Sequence, residues 1–129
     1  MATNDPLGTV RRMFAAFRAG DLDRILETVH FDSRWTYVGA NPKPKKAELL
    51  GHASVRRFFE GILTRLEITA FDTTEFVVQN DTVVVFGSES GTLRSTGAAF
   101  RNEWVQKYVV RDNHITQMAE YNIQIDPRN

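Results

Sequence analysis

Apolar residues recur at helical spacing near the start of the chain. Leu7, Val10, Phe14 and Phe17 share one face, with Arg11, Arg12 and Arg18 on the others. This pattern predicts an amphipathic helix. Gly20 ends it through the left-handed conformation that glycine tolerates. Asp21 is a good N-cap for a second helix, whose stripe is Leu22, Ile25, Leu26 and Val29. Residues 1–6 read as a frayed start, and the ordered core as about 7–125.

The period then shortens. Trp35 and Tyr37 alternate with Arg34, Thr36 and Val38, which predicts a strand over 31–38. Residues 39–44 form a loop with two prolines, and 47–50 a short extended piece closed by Gly51. Val55, Phe58, Phe59, Ile62, Leu63 and Leu66 make a wide stripe on a third helix over 52–65. Beyond it the chain alternates with a period of two, in strands over 68–79, 82–93, 100–110 and 115–125. Turns are expected at Asn80-Asp81, Ser95-Thr96-Gly97 and 111–114, where Asn113 can take a positive φ. The reading is one α+β domain over 1–129: three helices packed on one face of a curved, mainly antiparallel sheet that encloses a pocket.

Composition narrows the function classes. Sixteen basic and sixteen acidic residues cancel. No basic stripe with interleaved aromatics points to nucleic acid, and no apolar run approaches a membrane span. There is no cysteine, so thiolate chemistry and disulfides are excluded. His30, His52 and His114 are far apart and lack metal-ligand spacing, so no metal is expected. His52 and His114 read as solvent-facing. A cytoplasmic protein follows, with a small molecule or a second copy of itself as partner.

Four stretches carry a resemblance. They are Ala19-Gly20-Asp21-Leu22-Asp23, Leu50 to Phe58, Arg111 to Ile115, and Ala119-Glu120-Tyr121. Together they resemble the nuclear transport factor 2-like (NTF2-like) superfamily, in its SnoaL-like (polyketide cyclase-like) branch, kin to ketosteroid isomerase and limonene epoxide hydrolase. The resemblance implies a cone-shaped NTF2-like fold over nearly the whole chain. It implies a pocket faced by Met118, Glu120 and Asn122 on the last strand, and by Trp35 and Tyr37 on the first. It turns Arg101, Glu103, Val105 and Lys107 inward on the strand 100–110. Met13, Phe17, Phe59 and Ile62 or Leu63 would close the far side.

The departures from relatives bear on chemistry. In the isomerase, Tyr37 stands at the general-base position, and Met13 and Val105 stand at the oxyanion-hole positions. Steroid isomerisation is therefore not expected. The hydrolase pattern is matched in part by Arg101-x-Glu103 and Glu120, with Tyr37 at the water-holding Asn position. Two glutamates in one apolar cavity would repel, and one would stay protonated as a general acid beside a general base. The expected enzyme is cofactor-free and acts by acid–base chemistry (isomerisation, cyclisation or epoxide hydrolysis) on a hydrophobic carbonyl or epoxide compound. Glu120 is its base, Glu103 with Arg101 its acidic and anion-stabilising side, and Tyr37 its orienting donor. The alternative is a non-catalytic small-ligand-binding or assembly module. Glu89 is left open between a pocket carboxylate and a residue facing water. A homodimer is expected through an outer sheet face of Asn102, Trp104, Gln106, Tyr108, Tyr121 and Ile123.

Overall fold

The computed structural model describes residues 3–39 and 45–126. Helix α1 (Pro6–Arg18) starts where the Asp5 side chain accepts the Gly8 N–H at 3.0 Å, with Pro6 in the first turn. Gly20, at φ 68°, turns the chain out of it. Helix α2 (Leu22–Glu27) is capped by Asp21, which accepts the Arg24 N–H at 3.2 Å. Thr3 to Asp5 are not frayed. Asn4 donates to the Val110 carbonyl at 2.9 Å, the Asn113 side chain accepts the Asp5 N–H at 2.7 Å, and it also donates to the Thr3 carbonyl.

Strand β1 (Val29–Gly39) is followed by β2 (Lys45–Leu50) and helix α3 (Gly51–Arg65). The expected loop at 39–44 lies, apart from Gly39, outside the described residues. Gly51 has φ 80°, and a Cβ there would sit 3.3 Å from the Phe31 carbonyl oxygen. His52 is half-buried rather than solvent-facing: its Nε2 donates to the Val29 carbonyl at 2.5 Å. That bond ties the start of α3 to β1. His114 is exposed.

Strands β3 (Leu66–Gln79), β4 (Thr82–Leu93), β5 (Ala99–Arg111) and β6 (His114–Ile125) form the expected meander. Asp112 and Asn113 both take positive φ between β5 and β6, as a tight two-residue hairpin requires. The sheet runs β2-β1-β6-β5-β4-β3. It is open and mixed, because β1 pairs parallel with β6 while the other neighbours are antiparallel. Register shifts near Ala70 and Glu75 are bulges that bend the long edge strand β3.

The core lies between the helices and the inner face of this sheet. Val10, Met13 and Phe14 of α1 and Val55 and Phe59 of α3 meet Val83, Val85, Trp104, Tyr108 and Met118. Each of these side chains is removed from water at a gain of about 2 kcal/mol. The aromatic members interlock. Phe14 stacks on Trp104 with centroids 6.2 Å apart and meets Tyr108 edge-on at 6.0 Å. Gly87 is what lets Trp104 lie flat, since a Cβ there would come within 2.4 Å of the indole and 2.6 Å of the Asp72 carbonyl oxygen.

Candidate active site

Helices α1 and α3 and the inner face of the sheet line a cavity of about 270 Å³. Its walls are apolar: Met13, Phe14 and Phe17 from α1, Phe58, Phe59 and Ile62 from α3, and Phe71 from β3. Its floor is polar and comes from consecutive inward positions of neighbouring strands. Pairing places Tyr37 beside Glu120, Glu120 beside Gln106, and Asn122 beside Trp104. On the other side of β5, Glu89 pairs with Asn102.

Glu120 is the centre of this floor, with 9% of its surface exposed. Its Oε1 accepts from Gln106 Nε2 at 2.5 Å, and its Oε2 accepts from Asn122 Nδ2 at 3.1 Å. The Tyr108 hydroxyl donates to Gln106 Oε1 at 2.6 Å, which fixes how the Gln106 amide is turned. Burial pushes the Glu120 carboxyl up to about 7. The two amide hydrogen bonds oppose that rise, and the charge of Glu89 adds to it. Glu89 is raised as well, by burial, against a 3.1 Å hydrogen bond from Asn102 Nδ2 to its Oε1.

Tyr37 stacks against Phe58 with centroids 4.3 Å apart. Its phenol is pushed well above its ordinary range by burial first, and then by the charges of Glu120, Tyr108 and Glu89. Tyr37 therefore stays protonated and remains a hydrogen-bond donor at any pH the protein meets.

The structure brings Glu120, Tyr37, Asn122, Met13, Phe17, Trp35 and Phe59 to one cavity. It does not bring Arg101, Glu103 or Val105 there. Arg101, Glu103 and Lys107 are exposed, and Glu103 and Val105 line a groove on the opposite face of the sheet with Tyr121 and Ile123. The residues of β5 that turn inward are Asn102, Trp104, Gln106 and Tyr108, the set expected on the outside. A strand has a strict period of two, so one wrong assignment inverts every residue on it. The signal for the right phase was in the sequence. Phe100, Trp104, Tyr108 and Val110 are all on the even positions, and all four are buried. Two further expectations are corrected. Leu63 lines a neighbouring groove with Arg18 and Ile68, and Met118 is packed in the core.

Glu89 is thus the second carboxylate of the cavity, where Glu103 was expected. Gln106 and Tyr108 were missed as pocket groups, and Asn102 as a partner of Glu89, because they went with the inverted phase. Among the described residues, no group of three or more His, Cys, Asp or Glu is placed to hold a metal. Among the described residues, no helix is long and apolar enough to cross a membrane.

Comparison with known proteins agrees with this architecture. The SnoaL-like domain matches residues 10–118. No curated protein matches the chain. An NTF2-like protein from Burkholderia xenovorans is 29% identical, with a TM-score of 0.78 over 91% of this chain and 88% of that one. TerC, co-crystallised with polyporic acid, is 27% identical, with a TM-score of 0.73 over 89% of this chain and 88% of its own. A hypothetical protein from Catenulispora acidiphila has a ketosteroid isomerase-like fold and is in complex with trimethylamine. It is 17% identical, with a TM-score of 0.71 over 88% of this chain and 83% of its own, and shows likeness of fold alone.

Proposed function

Because the chain belongs to the SnoaL-like domain family, we propose that it is a cofactor-free acid–base enzyme acting on a small hydrophobic carbonyl or epoxide compound. The observation that carries this reading is Glu120: a carboxyl on the floor of an aromatic-walled cavity, raised to about 7 by burial. A group with that pKa is divided between its two forms at neutral pH. It can take a proton from carbon or from water and return it. Tyr37, the strand neighbour of Glu120, supplies a neutral donor to a carbonyl oxygen as negative charge develops there. Glu89, also raised, is a second proton store in the same cavity. TerC, with its polyporic acid, supports a small organic ligand for this pocket.

One observation favours a second reading, a binding module without chemistry. Both oxygens of Glu120 are already occupied by amide donors. Such a satisfied network also serves simply to hold a pocket open. Proton exchange separates the two. Wild-type protein in D2O should speed the loss of the α-hydrogens of 2-tetralone, followed by NMR, and Glu120→Gln should slow that exchange by about a hundredfold or more. No acceleration by the wild type removes the enolising reading. Equal rates for the two proteins remove Glu120 as the base.

The same reading includes a cytoplasmic homodimer. What supports the dimer is the outer sheet face, where Tyr121 is 58% and Ile123 57% exposed, beside Phe86 and Val105. Gln106 and Tyr108, expected there, are buried on the other side.

A further inference from the structure

The two polar ends of the cavity are not equivalent. Glu120 has both carboxylate oxygens engaged, by Gln106 and Asn122. Glu89 has one, its Oε1, engaged by Asn102. The other oxygen of Glu89 accepts no hydrogen bond from the described residues. Glu89 also stands among aromatic rings. Phe71 is its partner on β3, and Phe71 stacks on Trp104 with centroids 5.5 Å apart and an interplanar angle of 28°. The charged side chains lining the cavity among the described residues are Glu89 and Glu120, both acids. Arg18 lies 5.4 Å from the Phe71 centroid, but it is exposed, donates to Thr73 and lines a neighbouring groove.

We infer that the Glu89 end of the cavity is a binding subsite for a protonated amine, so that the pocket takes a hydrophobic ligand with an ammonium group at one end. This rests on the pocket reading above and names the class of compound it would accept. A free carboxylate oxygen supplies a charge-assisted hydrogen bond. Phe71 and Trp104 line the cavity beside Glu89, and an ammonium there has aromatic neighbours, which favour a cation. Glu89 is half-buried, and a carboxylate partly withdrawn from water is costly without a cation; the ammonium relieves that cost where a neutral or anionic ligand does not. Glu120 lies two strands over and four register positions along, about 10 Å across and about 13 Å along the sheet between backbones. Side chains pointing into one cavity shorten that span. A ligand held by its amine at Glu89 therefore presents its apolar body, and any carbonyl on it, toward Glu120 and Tyr37.

The test uses three probes of one shape and different charge: 2-phenylethylamine, 2-phenylethanol and phenylacetate. Binding is measured by calorimetry at about pH 8, where the amine is protonated. The amine should bind at least about tenfold more tightly than the alcohol, and phenylacetate more weakly than both. Glu89→Gln keeps an oxygen for Asn102 and should erase the amine's advantage while leaving the alcohol unchanged. Should Glu89→Gln fail to fold, Glu89→Asp serves, with the amine weakened and the alcohol unaffected. Glu120→Gln should keep the preference. An alcohol or carboxylate bound as tightly as the amine overturns the inference. So does a preference that survives at position 89 and disappears with Glu120→Gln. The tetralone exchange compares the wild type with Glu120→Gln on a ligand that carries no amine, so either result can fail without the other.

Discussion

Gln106 Nε2 meets Glu120 Oε1 at 2.5 Å, and the two residues are direct cross-strand partners in the β5–β6 pair. The contact is possible because the register puts both side chains on the inner face of the sheet. It also explains why a buried carboxyl is tolerated, since an amide bond partly replaces the water it lost. The compensation is incomplete, and the carboxyl remains raised to about 7 from an ordinary 4.5.

The first prediction follows from that shift. Below about pH 4.5 the Glu120 carboxyl is neutral in both folded and unfolded chains, and its contribution to stability is fully present. Between about 4.5 and about 7 the unfolded chain has released the proton while the folded one keeps it, so stability falls as pH rises. The fall is on the order of 3 kcal/mol and levels off above about 7. Glu120→Gln has no such proton to lose. Denaturant melts should show the variant gaining on the wild type between about pH 5 and pH 8. A constant difference across that range would refute the assignment. Glu89 shifts in the same direction and is present in both proteins.

The packing of Trp104 gives the second. Gly87→Ala puts a methyl within 2.4 Å of the indole and 2.6 Å of a backbone carbonyl. Trp104 must move, and the loss should be about 1–3 kcal/mol. A red shift of tryptophan emission and weaker binding of apolar ligands should accompany it. An unchanged melting temperature would mean that the sheet yields there at no cost.

The phase of β5 supplies the third. Arg101→Ala and Glu103→Gln alter exposed side chains on the outer face. Each should change stability by no more than about 0.5 kcal/mol and leave ligand affinity in the cavity unaltered. Gln106→Leu removes an inward partner of both Glu120 and Tyr108 and should change both. If Glu103→Gln abolished ligand binding, the inward assignment of the even positions would be wrong.

The outer face provides the fourth. Ile123→Asp places a charge at the centre of the exposed apolar patch beside Tyr121. Light scattering at tens of micromolar (roughly the range for an interface of ordinary size) should show a dimer for the wild type and a monomer for the variant. A monomeric wild type removes the dimer.

Much of this molecule was legible in its sequence because it rests on local periodicity. The stripe of Leu7, Val10, Phe14 and Phe17 gave α1. The alternation after Glu67 gave β3 to β6, and Asn113 gave a hairpin turn at positive φ. Caps were legible for the same reason: Asp21 needs to reach only three residues along the chain. Glu120, Tyr37 and Asn122 were placed in the pocket through the resemblance, and the structure puts them there.

What the sequence did not decide depends on groups far apart in it. Glu89 and Glu120 belong to one cavity because β5 lies between their strands and carries Asn102 and Gln106 inward. The parallel pairing of β1 with β6 brings Tyr37 beside Glu120 across more than eighty residues. Helix α1 decides which face of the sheet is inside, by covering the one that carries Trp104 and Tyr108. Alternation along a strand names two faces. Only packing against the helices tells which is dry, and burial then raises Glu120 into the range where it can exchange a proton.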